Sequence, residues 1–243
     1  MKPGYTALFL FMTILSVGIR AAGEIEDQRA RMVEEVTEMV RQTESYTGKD
    51  KLDPRVMQAM GKVPRHEFVP DAIRSHAYVN SALPIGFEQT ISQPYIVALM
   101  TDLAEVGTED QVLEIGTGSG YQAAILAELA RHVYTIEIVE DLGLQARETL
   151  DKLGYDNIST RIGNGYHGWS AHAPYDAILV TAAIDEIPVA LLEQLAPGGK
   201  MVIPLGPQDQ TQSLTIVEKN ADGTNVQNAI LPVGFVPLTG TNK

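Results

Sequence analysis

Nine residues, Val112 to Gly120 (Val-Leu-Glu-Ile-Gly-Thr-Gly-Ser-Gly), constrain this chain more than any other stretch. A short apolar run enters a turn with glycines at 116, 118 and 120, and a helical pattern follows over residues 121–130. Glycine is needed where the backbone turns with positive φ or where a ligand presses on the main chain. A strand, a glycine turn and a helix N-terminus in that order make a cradle for a nucleotide-like ligand. The spacing then sorts the ligand. The dinucleotide fingerprint G-x-G-x-x-G is excluded, because Tyr121 stands where its third glycine belongs. The pattern is E-x-G-x-G-x-G, with Glu114 on the strand just before the turn.

That version resembles the S-adenosylmethionine loop of Rossmann-like methyltransferases. The resemblance implies S-adenosylmethionine as methyl donor, cradled by Gly116, Gly118 and Gly120 with Glu114 beside them. A second acidic residue arrives at a fitting distance. Residues 132–138 read as a buried strand, and Glu137 lies near its end, 17 residues beyond Gly120. In such folds the end of the second strand presents a carboxylate to ribose hydroxyls, roughly 20 residues past the turn. The competing reading is a solvated glutamate at a strand end. The apolar residues before Glu137 and the helix signal after it favour the ribose.

Composition narrows the function classes. A length of 243 residues fits one α/β domain with additions. A net charge of −13 argues against nucleic acid as a partner, since phosphate binding needs a basic surface. With no cysteine, disulfides and thiolate chemistry are excluded. The five histidines, at 66, 76, 132, 167 and 172, show no metal-binding spacing, so no metal site is expected.

Along the chain, Met32, Val33, Val36, Met39 and Val40 recur at helical spacing and mark a packing face. Asp53-Pro54 is a cap followed by proline at the first helical position, with the helix expected to stop at Gly61. Pro64, Pro70, Pro84 and Pro94 imply an irregular, shaped surface between residues 63 and 94. Pro94 should open a helix over 95–104, with Ser92 or Gln93 near its N-cap. Later come a helix over 141–153 ended by Gly154, a strand over 158–162 and a turn at Gly163-Asn164-Gly165. A strand over 175–181 precedes a helix over 187–195, closed by Pro197-Gly198-Gly199. Strands over 200–204 and 213–219 follow, then a final one leading to residues 235–238. The alternation predicts a doubly wound, mostly parallel α/β sheet with an antiparallel edge pair and an N-terminal helical extension.

The blocks Phe68-Val69-Pro70, Leu83-Pro84-Ile85-Gly86, Gln89-Thr90-Ile91-Ser92, the glycine loop, residues 173–178, Gln194-Leu195 with Gly198-Gly199, Ile203-Pro204-Leu205-Gly206 and Phe235-Val236-Pro237-Leu238 occur in order. Together they resemble the protein-L-isoaspartate O-methyltransferase family over about residues 29–238. The resemblance implies methyl transfer from S-adenosylmethionine to the free α-carboxylate of isoaspartyl residues in proteins and peptides. The ester would then close to a succinimide whose hydrolysis returns some normal aspartate. It further implies Ser92 as the active-site residue and Ile85, Gln89, Thr90, Ile91 and Val236 on the substrate side. Glu137 would hold the ribose, and Asn164 with Gly165 would border the adenine. Two positions depart from the family pattern. Asn164 replaces an aspartate common there, and Glu88 stands where a small residue, often glycine, precedes the glutamine.

Residues 1–23 form a separate signal-like segment, with Lys2, an apolar run, Arg20 and then Ala21-Ala22-Gly23. The run is too short for a comfortable membrane span. The layout favours export, whereas S-adenosylmethionine is made and held in the cytoplasm. Cytoplasmic function is the expectation and export to the periplasm the alternative. Residues 24–243 are expected to form one domain, with 24–104 on the substrate side and 105–243 as cofactor-binding core. Two other activities remain open on the sequence: a methyltransferase for another carboxylate or small molecule, and a non-catalytic donor-binding module.

Overall fold

Strand β3 explains why the molecule is layered. Val112, Leu113, Glu114 and Ile115 are all fully buried, and successive residues divide between two cores. Val112 joins one hydrophobic cluster while Leu113 and Ile115 join the other, as a central parallel strand covered on both faces requires. The computed structural model of this chain describes residues 5–207 and 210–240, with side chains described from residue 23 onward.

The helical extension comprises α1 (Tyr5–Gln42), α2 (Glu44–Thr47) and α3 (Pro54–Lys62), followed by 3-10 turns at Arg65–Phe68 and Asp71–His76. A small antiparallel hairpin, β1 (Leu83–Gly86) and β2 (Gln89–Ile91), leads into α4 (Pro94–Leu103). The alternating region then runs β3 (Gln111–Ile115), α5 (Tyr121–Ala127), β4 (His132–Glu137), α6 (Glu140–Leu153), β5 (Ile158–Ile162), β6 (Tyr175–Val180), α7 (Val189–Gln194) and β7 (Leu195–Leu205). It closes with β8 (Gln212–Lys219) and β9 (Asn225–Val233). The large sheet has seven strands in the order β5-β4-β3-β6-β7-β8-β9; the first five are mutually parallel, and β8 and β9 are antiparallel. The doubly wound sheet and its antiparallel edge pair are as expected. Winding departs from β3 in one direction through β4 and in the other through β6, so the crevice between the ends of β3 and β6 is the switch point where such sheets hold ligands.

Met32, Val36 and Val40 of α1 are buried in the same cluster as Leu99 of α4 and Leu179 of β6, which makes the helical extension part of the main core. Asp53 accepts a hydrogen bond from the Arg55 N–H and caps α3, which continues through Gly61 to Lys62. A lone glycine near a helix end weakens it without stopping it. The apolar run before Gly23 falls outside the described side chains. Among the described residues no helix is long and apolar enough to cross a membrane.

Several expected boundaries moved for identifiable reasons. Helix α7 starts at Val189 because Ile187 precedes a proline, which disfavours helical backbone there. Pro197-Gly198-Gly199 lies inside β7 as an irregularity: Tyr175 pairs with Leu195 but Ala177 already pairs with Lys200. A Cβ on Gly199 would stand 2.8 Å from the Asp176 carbonyl oxygen, so the strand passes only as glycine. Residues 235–238 are not a strand. Pro237 makes a single parallel bridge to Ala183, with Ala183 N–H donating to the Val236 carbonyl and Leu238 N–H to the Ala183 carbonyl.

The hairpin turn carries the first departure from the family pattern. Gly86 pairs with Gln89, leaving Phe87 and Glu88 as a two-residue loop with φ of 52° and 59°. Such a loop asks for positive φ at both positions, which side chains other than glycine, asparagine or aspartate adopt at a cost. Glu88→Gly should therefore raise stability by ~0.5–1 kcal/mol, after the extra chain entropy of glycine is offset, or roughly 2–3 °C in Tm. Thermal unfolding of the two proteins side by side checks this; an unchanged or lower Tm would refute the strain.

Candidate active site

The glycine loop leaves the end of β3 and is held by β4 and β6. Gly116 and Thr117 N–H groups both donate to the Ile136 carbonyl, at 2.9 and 3.1 Å. The Thr181 hydroxyl, at the end of β6, donates to the Gly116 carbonyl at 2.6 Å. Gly116 has φ +96°, and a Cβ there would lie 2.6 Å from the Thr181 Oγ1, so no other residue fits. Glu137 then fastens the loop. Its Oε2 accepts from the Gly118 N–H at 2.8 Å, and its Oε1 accepts from the N–H groups of Ile138 and Val139 at 2.9 and 3.0 Å.

Glu114 lies beneath the loop, fully buried. The Thr135 hydroxyl donates to its Oε2 at 2.5 Å, and Thr117 and Thr135 hydroxyls lie 2.6 Å apart. Thr135 has one proton to give, so Thr117 donates to Thr135 and Thr135 to Glu114. The Glu114 Oε1 is buried without a hydrogen-bond partner. Burial, with the Glu137 charge as a lesser cause, pushes the Glu114 carboxyl up to about 8.

These groups line an open cavity of about 700 Å³ that also takes in Ser92, Tyr121, Gln122, Gly165 and Thr181. Of the expected site residues, Gln89, Thr90, Ile91, Ser92, Glu114, Gly116, Gly118, Glu137, Gly165 and Val236 all face it. Three do not. Gly120 sits at the N-terminus of α5 with φ +90°, where a Cβ would meet Leu150 of α6 at 3.3 Å; its place is helix packing. Ile85 supports Gly118 from below, 3.6 Å from where a Cβ on that glycine would be. Asn164 stands beside the wall, its Oδ1 accepting from the Tyr166 N–H, while Gly165 forms the wall itself against Ile115.

A second cavity adjoins the first and shares Thr90, Ser92, Thr181 and Val236 with it. Ser92 therefore sits in the partition between two compartments. Its hydroxyl makes no hydrogen bond among the described residues, because α4 is capped from elsewhere: Asn80 Oδ1 accepts from the Tyr95 N–H at 3.0 Å. Asn80 and Thr135 were not anticipated. The signal for Thr135 was a threonine inside the apolar run of β4, directly opposite Glu114. Asn80 lies too far from Tyr95 in sequence to be read as a cap.

The two cavities carry two charged side chains, Glu114 and Glu137, and no cation. Glycine-turned backbone beside two carboxylates suits a ligand with a nucleoside body and positive charge, as S-adenosylmethionine has; the class is that of the S-adenosylmethionine-dependent methyltransferases. A solved protein-L-isoaspartate O-methyltransferase superposes with a TM-score of 0.74 at 27% identity, over 86% of this chain and 66% of that longer one. A second, a putative enzyme of that name from Plasmodium falciparum in complex with S-adenosyl-L-homocysteine, gives 0.67 at 24% identity, over 84% of this chain and 97% of that one, and shares the fold. Residues 34–243 match the family described as protein-L-isoaspartate(D-aspartate) O-methyltransferase (PCMT), and the chain belongs to it. Protein-L-isoaspartate O-methyltransferase 2 of Polaromonas sp. is 65% identical over 86% of this chain and 99% of its own length. That of Syntrophobacter fumaroxidans is 57% identical over 97% of each. The reaction is methyl transfer from S-adenosylmethionine to isoaspartyl carboxylate, and the two rival activities left open by the sequence fall away. Among the described residues no group of three or more histidine, aspartate or glutamate side chains is placed to hold a metal ion.

Proposed function

We propose that Ser92 orients the isoaspartyl α-carboxylate across the partition between the two cavities, and that this single placement carries the reaction. S-adenosylmethionine, when bound, supplies a methyl on a sulfonium. The substrate carboxylate is ionised at neutral pH, with a pKa near ~4, and needs no general base. Around Ser92 stand the hydroxyls of Thr90 and Thr181 and no charged group, so the residues on that side align the carboxylate without neutralising it. Alignment alone can be worth roughly 7–11 kcal/mol. Ser92 is no nucleophile in this reading, since no histidine lies among the residues lining either cavity to activate it.

Glu137 holds the ribose and the loop together, Glu114 faces the positive end of the donor, and Gly116, Gly118 and Gly165 give the nucleoside room. Gly120 supports the cradle through α5, and Asn164 supports Gly165. Gln89, Ile91 and Val236 line the approach, with Ile85 beneath it. Residues 24–104 act as the substrate side and 105–243 as the donor side of one domain; isoaspartyl proteins and peptides are the partners, without nucleic acid or metal. The cytoplasm, where the donor is made, is the compartment of action, and an intact N-terminus in the mass of the native protein would support it against export.

The test is a matched pair of peptides, one with isoaspartate and one with aspartate. The first should be methylated and the second ignored, since they differ in geometry and not in charge. Ser92→Ala should lower kcat about 100-fold while peptide KM changes little. Equal rates on both peptides, or wild-type turnover in the variant, would overturn this assignment.

A further inference from the structure

Arg65 is the largest fully buried side chain in the protein and the only basic one in its interior among the described residues. It belongs to the 3-10 turn Arg65–Phe68. Its Nε donates to the Ala77 carbonyl at 2.8 Å and its Nη2 to the Ser92 carbonyl at 2.8 Å. The guanidinium carbon lies 4.7 Å from the centre of the Tyr121 ring, and Tyr121 is the first residue of α5 and a wall of the donor cavity. Nη1 is buried without a hydrogen-bond partner.

A packing role does not account for this arrangement. Burying a guanidinium with no carboxylate against it costs stability that an apolar side chain of similar volume would not. The fork does one thing an apolar residue cannot. Ala77 precedes the β1–β2 hairpin and Ser92 follows it, so one planar group grips both stems of the segment that carries Thr90 and Ser92. Because the grip on Ser92 is through its carbonyl, the hydroxyl stays available to a ligand. Burial lowers the guanidinium pKa to about 10, so the charge is retained at neutral pH.

We propose that Arg65 is a positioning residue for Ser92: its two-point fork sets the backbone of Ser92 against the first turn of α5, and through it the angle at which the Ser92 hydroxyl meets the substrate carboxylate. The proposal rests on the orienting role of Ser92 argued above. A positioning residue acts only while the residue it positions is working, which separates it from a structural one.

The experiment is a double-mutant cycle with Arg65→Lys, Arg65→Gln and Ser92→Ala, reading kcat and KM on the isoaspartyl peptide and S-adenosylmethionine affinity by calorimetry. Arg65→Lys should lower kcat about 10-fold in the wild-type background and less than about 2-fold once Ser92 is alanine. Arg65→Gln should lose more than Arg65→Lys, and donor affinity should stay within about 2-fold in both. If Ser92→Ala is impaired but Arg65→Lys costs the same factor in both backgrounds, Arg65 is structural and the proposal fails while the role of Ser92 stands. If Ser92→Ala turns over like wild type, the role of Ser92 fails and the proposal with it. Failure of both Arg65 variants to bind donor also overturns it, because positioning at Ser92 does not require Arg65 for the fold.

Discussion

Glu137→Ala will weaken S-adenosylmethionine binding by about 10- to 150-fold and lower thermal stability at the same time. The first figure is the loss of one charge-assisted hydrogen bond to the ribose, about 1.5–3 kcal/mol. The second effect is separate from the ligand. Both oxygens of Glu137 already serve backbone N–H groups, at Gly118 on one side and at Ile138 and Val139 on the other. Removing the carboxylate leaves three donors in a half-buried loop without their acceptor, so the empty cradle loosens. Glu137→Gln keeps an acceptor and should fall between the two. Calorimetric titration reads the affinity and thermal unfolding of the ligand-free protein reads the loop. Unchanged donor affinity would refute the ribose assignment, and an unchanged Tm would refute the anchoring role, independently.

Glu114→Gln will make the protein progressively more stable than wild type as pH rises from about 4.5 to about 8. An unfolded glutamate titrates near ~4.3, whereas burial holds Glu114 protonated up to about 8 in the folded chain. Between those values the folded state binds one proton more than the unfolded state, so the contribution of Glu114 to stability falls as pH rises and is fully lost above the folded value. Glutamine does not titrate. The difference in Tm between the two proteins, followed across that window, should grow and then level off; a flat difference would show that Glu114 is ionised throughout. The charged side chain facing Glu114 within the cavity is Glu137, which adds to the effect. Because the donor is cationic, its binding near neutral pH should release protons from wild type and fewer from Glu114→Gln, which titrations in buffers of different ionisation enthalpy will register.

Much of this site was legible because its chemistry is written in backbone requirements. Gly116 is fixed by a hydroxyl 2.6 Å from where a Cβ would be, and Glu137 by three backbone donors, so spacing along the chain reports both. The sheet was legible for a similar reason: β3, β4 and β6 are buried on both faces and read as continuous apolar runs. The hairpin of β1 and β2 was hidden, since Leu83-Pro84-Ile85-Gly86 has a proline and a glycine in four residues. Gly120 was read as part of the ligand cradle, yet it is needed by Leu150, some thirty residues on, which no local pattern reveals. Arg65 was invisible as a functional residue because its partners are carbonyls, and carbonyls carry no sequence signature.

The turn at Asn164-Gly165 gives the molecule an unusual relation to its own chemistry. An asparagine followed by glycine is the pair in which chain ageing most easily closes a succinimide, by attack of the glycine nitrogen on the side-chain carbonyl. The enzyme thus carries, beside its donor cavity, the raw material of its own substrate. What restrains the reaction is order: Gly165 is buried against Ile115, and the Asn164 Oδ1 is held by the Tyr166 N–H, two residues on. The lifetime of the catalyst at this point is therefore governed by the frequency of local opening, and whatever keeps the turn closed also keeps the enzyme from becoming a patient of the repair it performs.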